Sequence, residues 1–302
     1  MLTDINNVPI QEALKRDGYV IVDGLIDPEL MIRLKEACDR VVAKARAGDW
    51  KYSKAKTKLY LKRRLVGTQF PPWTEGTDVW GVQHLIHPEL NEPVFLEWYG
   101  STKLLQSVCE LLGAKKEDLQ LELFNLLINP QDSDFDLTWH RDAVPAETSA
   151  EEEIEKLKVP HYGTQWNTAL YEDACLYVVP NSHRRVRTPE ERDITINDPK
   201  SHNMPGQLQV RLLPGQTVFY DNNILHRAAY IAANKRATLH ASMGTIEGGH
   251  HRASTIFQHG LDWMNQPSFQ QSLPASLEKP YANVKAMAAK TGLGKMETKP
   301  IH

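Results

Sequence analysis

The sequence predicts one mainly β domain, a two-sheet jelly roll braced by flanking helices. Helical spacing dominates as far as Leu112, and short strands separated by turn residues dominate the middle of the chain. All-β architectures of this kind often accommodate a chain of 302 residues in one unit. We therefore expect a single domain over residues 1–302, with a helix-rich support at about 1–115, a β core at about 118–246 and a C-terminal extension at about 247–302.

The N-terminal part contains one short strand and two clear helices. Residues 18–22 (GYVIV) are apolar and β-branched, which favours a strand. Asp27 followed by Pro28 is typical of a helix start, because aspartate accepts from the free N–H groups and proline fits the first turn. Residues 101–112 show a second amphipathic pattern, which Gly113 ends.

The β core is predicted as a series of short strands, most of them followed by a turn signal such as Asn-Pro or Pro-Gly. The predicted strands are residues 121–129, 164–172, 175–179, 209–213, 217–220 and 236–244. An acidic, helix-prone insert at residues 147–158 is interpreted as a solvated surface helix and not as a binding site. The tail beyond Pro267 is polar, and the sequence assigns it no role.

Composition and charge argue against several classes of protein. The chain has 35 basic and 38 acidic residues and no extended basic block, so we expect no nucleic-acid partner. The three cysteines form no Cys-x-x-Cys pair, which argues against a disulfide framework or a zinc–thiolate site. The sequence shows no apolar targeting segment and no run long enough to span a membrane. We expect a cytoplasmic protein without a membrane partner, and we leave open whether it forms a homodimer.

A histidine and an aspartate separated by one residue carry the clearest chemical signal. On extended backbone, His140 and Asp142 point to the same side and converge on one point. His226 follows a later predicted strand and would complete a set of two histidines and one carboxylate. This set is the facial triad of non-haem iron(II) oxygenases, which leaves three positions for a bidentate 2-oxo acid and dioxygen.

Arg236 lies ten residues after His226, at the start of a predicted strand. A guanidinium group matches a carboxylate with two parallel hydrogen bonds, so we expect Arg236 to hold the distal carboxylate of 2-oxoglutarate. His240 shares a strand face with Arg236 and either lines the pocket or packs in the core. The histidines without such context are interpreted as structural or surface residues: His161, His183, His202, His250, His251 and His259.

The order of these motifs resembles the phytanoyl-CoA dioxygenase family of iron(II)/2-oxoglutarate oxygenases over roughly residues 18–245. The segments that carry the resemblance are His140-x-Asp142, residues 179–183 (VPNSH), residues 213–219 (LPGQTVF), His226 and Arg236. The family usually has Pro-Gly-Ser-His where this chain has Pro-Asn-Ser-His, and asparagine tolerates the left-handed conformation there. The resemblance implies a double-stranded β-helix (a cupin-like jelly roll), Fe(2+), 2-oxoglutarate, O2 and the same triad.

The resemblance also implies further contacts to 2-oxoglutarate, at Trp166, Thr168, Thr138 and Gln83. Trp166 and Thr168 share one face of a predicted strand, and ordinary core packing is the alternative for Trp166. The family often has serine or glycine two residues after the distal histidine. This chain has Ala228 there, so a hydroxyl contact is lost.

The implied function is a dioxygenase that hydroxylates a C–H bond of a small, bulky apolar molecule, such as a secondary metabolite, and releases succinate and CO2. A carboxylate at Asp142 favours oxygenation, because halogenating relatives have a small residue there. The aromatic-rich residues 52–80, with Trp98 and Trp139, are expected to line the pocket, and core packing is the alternative. The basic residues 51–64 are interpreted as a solvated segment or as a guide for an anionic substrate.

Three other functions remain open at this point. The first is 2-hydroxylation of a branched acyl-CoA, the activity that gives the family its name. The second is a cupin-like dioxygenase with three histidine ligands, which would not need Arg236. The third is a non-catalytic jelly-roll protein that binds or senses a small molecule.

Overall fold

The computed structural model describes residues 2–56, 77–257 and 259–292. The helices are α1 (Ile10–Asp17), α2 (Pro28–Arg46), α3 (Pro93–Tyr99), α4 (Thr102–Leu112), α5 (Ala150–Leu157), α6 (Pro189–Asn197), α7 (Gly249–Phe257), α8 (Pro267–Ser272) and α9 (Ala275–Thr291). The strands are β1 (Tyr19–Val22), β2 (Ser53–Lys56), β3 (Asp78–Val82), β4 (Leu119–Ile128), β5 (Phe135–Asp136), β6 (Gly163–Ala169), β7 (Leu176–Val179), β8 (Leu208–Gln209), β9 (Thr217–Tyr220), β10 (Leu225–Tyr230) and β11 (Ala237–Thr245).

The strands of the described residues form two antiparallel sheets. The larger sheet has the order β1-β9-β6-β11-β4-β3-β2, and the smaller has the order β5-β10-β7-β8. An isolated antiparallel bridge between His140 and His226 extends the smaller sheet beside β10. The non-sequential strand order and the helices confirm the predicted jelly roll with flanking helices, a double-stranded β-helix.

The larger sheet has two buried faces with different chemistry. In the β6–β11 register, Asn167 lies opposite His240 and Thr168 lies opposite Leu239. Asn167 and His240 share the inner face, where a hydrogen bond joins their side chains. Leu239 belongs to the main hydrophobic core, which the helices cover on the outer face. Among the side chains of the larger sheet, only those on the inner face can therefore reach a site between the two sheets.

Several predicted elements are confirmed to within about two residues. The Asp27 side chain accepts from the backbone N–H of Leu30 at the start of α2, and Gly113 ends α4 with a left-handed φ of 62°. Two strand predictions need correction. His226 lies inside β10, which the sequence did not predict, and the strand expected at residues 209–213 is reduced to β8, with one further bridge at Leu212.

The C-terminal extension has a structural role that the sequence did not indicate. Apolar residues of α9 belong to the main core, and the Asn283 amide donates to the carbonyls of Glu117 and Leu119 at the start of β4. Arg252 of α7 is buried and pairs with Glu122 and His161. The extension therefore covers the outer face of the larger sheet and is tied to its internal strand β4 by the buried ion pair of Arg252 with Glu122.

The acidic insert is not only a solvated helix. Glu153 of α5 is fully buried, which corrects the sequence interpretation for this residue. Residues 57–76, with most of the basic segment and Pro71, Pro72 and Trp73 of the aromatic-rich segment, lie outside the described residues. None of the helices in the described part of the chain is long and apolar enough to cross a membrane.

Candidate active site

The three predicted ligands lie together between the sheets. One side-chain donor atom from each of His140, Asp142 and His226 falls within 4.8 Å of the other two. Asp142 Oδ1 is 3.4 Å from His140 Nε2 and 3.7 Å from His226 Nε2. The paired backbones of His140 and His226 set this approach, with N–H···O distances of 3.0 and 3.1 Å. Asp142 itself lies in a bend beyond the bridge and not in a strand.

Both histidines are oriented in the same way by their own backbone. His140 Nδ1 is 2.8 Å from the carbonyl oxygen of Thr138, and His226 Nδ1 is 2.9 Å from that of Ile224. A carbonyl only accepts, so each Nδ1 carries the proton and each Nε2 keeps its lone pair. This tautomer is the one that presents Nε2 to a metal. The observed contact of Thr138 is through its carbonyl, and its contact with 2-oxoglutarate stays a prediction.

Two amides hold the carboxylate of Asp142. Its Oδ2 accepts from Gln165 Nε2 at 2.6 Å and from Asn222 Nδ2 at 3.1 Å. Because Oδ2 is occupied, Oδ1 is the oxygen that faces the two Nε2 atoms. Neither Gln165 nor Asn222 was predicted from the sequence as a site residue. Gln165 could have been predicted, because it is the residue next to Trp166 and its side chain points to the opposite face of the strand. Asn222 lies in the turn before β10, and no sequence pattern marked it as a site residue.

The protonation states suit metal binding. Burial opposes ionisation of Asp142, but the charge of His226 and the hydrogen bond with His140 outweigh it and keep the pKa of Asp142 well below its usual value. Burial, reinforced by the charge of His140, lowers the pKa of His226 to about 4. Burial also acts to lower the pKa of His140, but Asp142 outweighs it and raises that pKa. At neutral pH the site therefore offers an ionised carboxylate and a neutral His226.

The predicted contacts of Trp166 and Thr168 with 2-oxoglutarate are contradicted by the structure. Trp166 packs in the outer core against Tyr99 and Phe219, with ring centroids 6.0 and 5.7 Å apart. Thr168 Oγ1 lies 2.8 Å from the hydroxyl of Thr217 on the adjacent strand. Strand alternation places Gln165 and Asn167 on the inner face, so the predicted pair was out of phase by one residue.

Arg236 reaches the inner face just before β11. It is 5% exposed, and its Nε donates to Asp173 Oδ2 at 2.9 Å and to Thr238 Oγ1 at 3.1 Å. Its guanidinium carbon lies 4.6 Å from the ring centroid of Tyr230. Burial acts to lower the pKa of Arg236, but the charge of Asp173 outweighs it and raises that pKa, so the guanidinium stays charged.

One nitrogen of this guanidinium is left open. Arg236 Nη1 is buried and has no hydrogen-bond partner in the described part of the chain. A buried donor without a partner is costly, so a ligand carboxylate that accepts from Nη1 would be stabilised there. The donor set at this end of the site therefore fits the distal carboxylate of 2-oxoglutarate.

His240 lies on the inner face of the larger sheet, which agrees with the first of the two predictions for it, that it lines the pocket. Its Nδ1 is 2.9 Å from Asn167 Oδ1, and burial lowers its pKa to about 3, so the ring is neutral at physiological pH. Gln83 is buried directly after β3, where its carbonyl accepts the indole N–H of Trp50 at 3.0 Å. A contact of the Gln83 side chain with 2-oxoglutarate stays a prediction.

An apolar cluster forms a further wall beyond the distal histidine. Its buried members are Trp80, Leu127 and Tyr230, with Phe135, Leu137 and Ala228 packed against them. The rings of Phe135 and Tyr230 stack at 4.5 Å, and Trp80 meets Tyr230 edge-on at 5.3 Å. Trp98 lies in the main core and Trp139 packs with Met204, so core packing is the correct interpretation for these two tryptophans.

Comparisons with known proteins agree with this fold. EctD from S. alaskensis with 2-oxoglutarate and 5-hydroxyectoine matches with a TM-score of 0.57 and 18% identity, covering 90% of this chain and 88% of that one. The epimerase SnoN from nogalamycin biosynthesis matches at 0.51 and 17%, covering 78% and 81%. AviO1 from Streptomyces viridochromogenes Tue57 matches at 0.51 and 16%, covering 78% and 93%. These likenesses are structural, and no curated protein matches by sequence.

Residues 14–237 match the family described as phytanoyl-CoA dioxygenase (PhyH). The matched region contains the triad, Arg236 and all of the strands except most of β11. This match confirms the resemblance carried by the sequence motifs. The chain belongs to the phytanoyl-CoA dioxygenase family of iron(II)/2-oxoglutarate-dependent oxygenases.

Proposed function

We propose that His140, Asp142 and His226 hold the iron, that Arg236 receives the distal carboxylate of 2-oxoglutarate, and that the enzyme hydroxylates a C–H bond of a small molecule. One observation carries the proposal. Two Nε2 atoms and one carboxylate oxygen converge within 4.8 Å, and the second polar atom of each side chain is already hydrogen-bonded elsewhere. Such preorganisation is typical of a metal site.

The bound iron supplies the coupling of 2-oxoglutarate decarboxylation, which yields succinate and CO2, to oxidation of the substrate. The residues of the chain position the reactants. Gln165 and Asn222 fix the ligand oxygen of Asp142, while Arg236 fixes the far end of the co-substrate through Nη1. Gln165, Asn222 and Arg236 would together fix the orientation of 2-oxoglutarate along the inner face of the larger sheet.

The apolar cluster around Trp80 and Tyr230 supports a bulky apolar substrate. Tyr230 ends the strand that carries His226, and Phe135 pairs with it from β5, so an apolar molecule placed against these rings would exclude water from the site. A structure of SnoN is described in complex with Fe3+, alpha ketoglutarate and nogalamycin RO. We take a secondary metabolite as the substrate class on these two grounds.

A branched acyl-CoA is the second candidate, and the description of the family favours it. The two substrates differ in charge, because the CoA moiety carries phosphates that need cations at the pocket entrance. An apolar ring compound needs none. Turnover of an acyl-CoA that depends strongly on ionic strength would favour this second candidate.

The test is an assay of succinate formation by the purified protein with iron(II), 2-oxoglutarate and oxygen. The panel contains polycyclic metabolites and branched acyl-CoA thioesters, and the products are analysed for gain of one oxygen atom. We expect stimulated succinate release with a polycyclic compound and none with Asp142→Ala. No succinate from the wild-type protein under any condition would contradict the proposal and leave a binding protein as the interpretation.

A further inference from the structure

Arg141 lies between the two ligands of the His-x-Asp motif and points away from the metal. Its side chain is 1% exposed. Its guanidinium donates to the carbonyl of Ser182 at 2.8 Å, to that of Arg185 at 2.8 Å and to that of Asn223. Asn223 precedes His226 by three residues. Arg141 therefore ties the loop that carries His140 and Asp142 to the loop that leads into His226.

Glu153 lies beside this arginine and neutralises part of its charge. Its carboxylate is fully buried, and Oε1 lies 3.1 Å from Arg141 Nε, an ion pair without the geometry of a hydrogen bond. The same carboxylate pairs with Arg187 Nε at 3.1 Å and with Arg192 Nη2 at 2.6 Å. One acid thus pairs with three guanidinium ions, of which those of Arg141 and Arg187 are buried and that of Arg192 is 23% exposed. Without Glu153, the charges of Arg141 and Arg187 would face each other away from water, and Arg141 would lose its ion-pair partner.

The carboxylate comes from the acidic insert. Ser149 caps α5 by accepting from the backbone N–H of Glu152, which fixes the first turn and the direction of Glu153. The neighbouring glutamates of α5 are exposed, and Glu155 pairs with exposed Lys158 at 2.7 Å. Among the glutamates of this helix, burial therefore singles out one side chain, and that side chain contacts the arginine between two ligands.

We propose that Glu153 is a positioning residue for the metal centre, acting through Arg141 to hold the His140–Asp142 loop against the His226 loop. This inference rests on the metal site proposed above. It assigns a role to the insert, which docks one buried carboxylate behind the ligands and so fixes their spacing. Loss of Glu153 leaves all three ligands present but allows the two loops to separate.

The first test measures the dissociation constant of Co(II) for the metal-free full chain, with the absorption bands of bound Co(II) as a second readout. We expect Glu153→Gln to bind Co(II) about 10–100-fold more weakly, the range found for partners that orient metal ligands. The Co(II) bands should change as well, because the ligand geometry relaxes. Glu155→Gln, on the exposed face of the same helix, should match the wild type in both readouts. Unchanged affinity and bands in folded Glu153→Gln would overturn the proposal.

The second test is a double-mutant cycle with Arg141→Met. If Glu153 acts through Arg141, the combined variant should bind Co(II) no more weakly than Arg141→Met alone. Fully additive losses would contradict this route. If Glu153→Gln does not fold, Arg192→Gln replaces it in the cycle, because Arg192 is 23% exposed and donates to the same carboxylate. It should show a smaller loss in the same direction, and no loss would overturn the proposal.

The two proposals fail differently. Asp142→Ala that binds Co(II) like the wild type would contradict the metal site itself. Loss of binding in Asp142→Ala together with unchanged binding in Glu153→Gln would contradict only the role of Glu153.

Discussion

The two ends of the site hold their charged residue in opposite ways. At the metal end, Asp142 Oδ2 accepts from the neutral amides of Gln165 and Asn222, so the carboxylate keeps its full negative charge. At the other end, Arg236 donates to the acid Asp173, which balances its charge. The metal end is therefore built to attract a cation, whereas the arginine end selects its ligand through the geometry of the open Nη1 group.

Removing the charge at the metal end should have the largest effect. Asp142→Ala loses a proposed ligand and the only carboxylate in the triad, so iron-dependent succinate formation should fall by more than about 100-fold, beyond the loss attributed to partners of ligands. The measurement is succinate release at saturating iron(II) and 2-oxoglutarate. Retained activity would show that the metal is not held here.

At the arginine end, geometry should matter more than charge. Arg236→Lys keeps the charge and the pair with Asp173 but loses the planar fork. A charge-assisted hydrogen bond contributes roughly 1.5–3 kcal/mol, so the KM for 2-oxoglutarate should rise about 10–150-fold. The Co(II) dissociation constant should stay unchanged. An unaltered KM would mean that charge alone suffices at this end.

The amide support of Asp142 can be tested with neighbouring residues on opposite faces of β6. Gln165→Leu removes the 2.6 Å hydrogen bond to Oδ2 and should weaken Co(II) binding about 10–100-fold. Trp166→Phe changes only the outer core and should leave Co(II) binding as in the wild type, while lowering the free energy of unfolding. Equal metal affinity in the two variants would contradict the assignment of faces.

The pH dependence of metal binding should distinguish the two histidines. The pKa of His140 is raised by Asp142, whereas that of His226 is lowered to about 4. Below the pKa of His140 a proton must leave before the metal binds, so affinity should fall about tenfold per pH unit there, with one proton released. His226 should add a second proton only near pH 4. Calorimetry in buffers of different ionisation enthalpy counts these protons, and two protons released at pH 6 would contradict the assignment.

The sequence predicted the triad because its geometry is local. His140 and Asp142 are separated by one residue, so their side chains lie close together although Asp142 stands in a bend and not in the predicted strand. The order of the motifs added His226, which the bridge to His140 brings beside them. The sequence could not predict which residues of β6 face the site. Both faces of this strand are buried, so apolar and polar residues do not alternate in a way that distinguishes the inner face from the outer face. Trp166 has the character of a pocket residue, yet Gln165 is the one that reaches Asp142.

Glu153 shows a second limit of the sequence. An acidic run usually indicates a solvated helix, and nothing local distinguishes this glutamate from its neighbours. Its burial depends on Arg141, Arg187 and Arg192, which only the fold brings together. Contacts between charged residues distant in the chain leave no periodic pattern, so the burial of Glu153 became visible only in the structure.

We propose that the triad and Arg236 form one site for iron(II) and 2-oxoglutarate. Anaerobic titration of the metal-free protein with iron(II) in the presence of 2-oxoglutarate, followed by visible absorption, tests this arrangement. We predict a weak charge-transfer band in the wild type, no band in Asp142→Ala, and a band in Arg236→Lys only at higher 2-oxoglutarate concentration. No band in the wild type, or the same band in all three proteins, would contradict a shared site for iron(II) and 2-oxoglutarate.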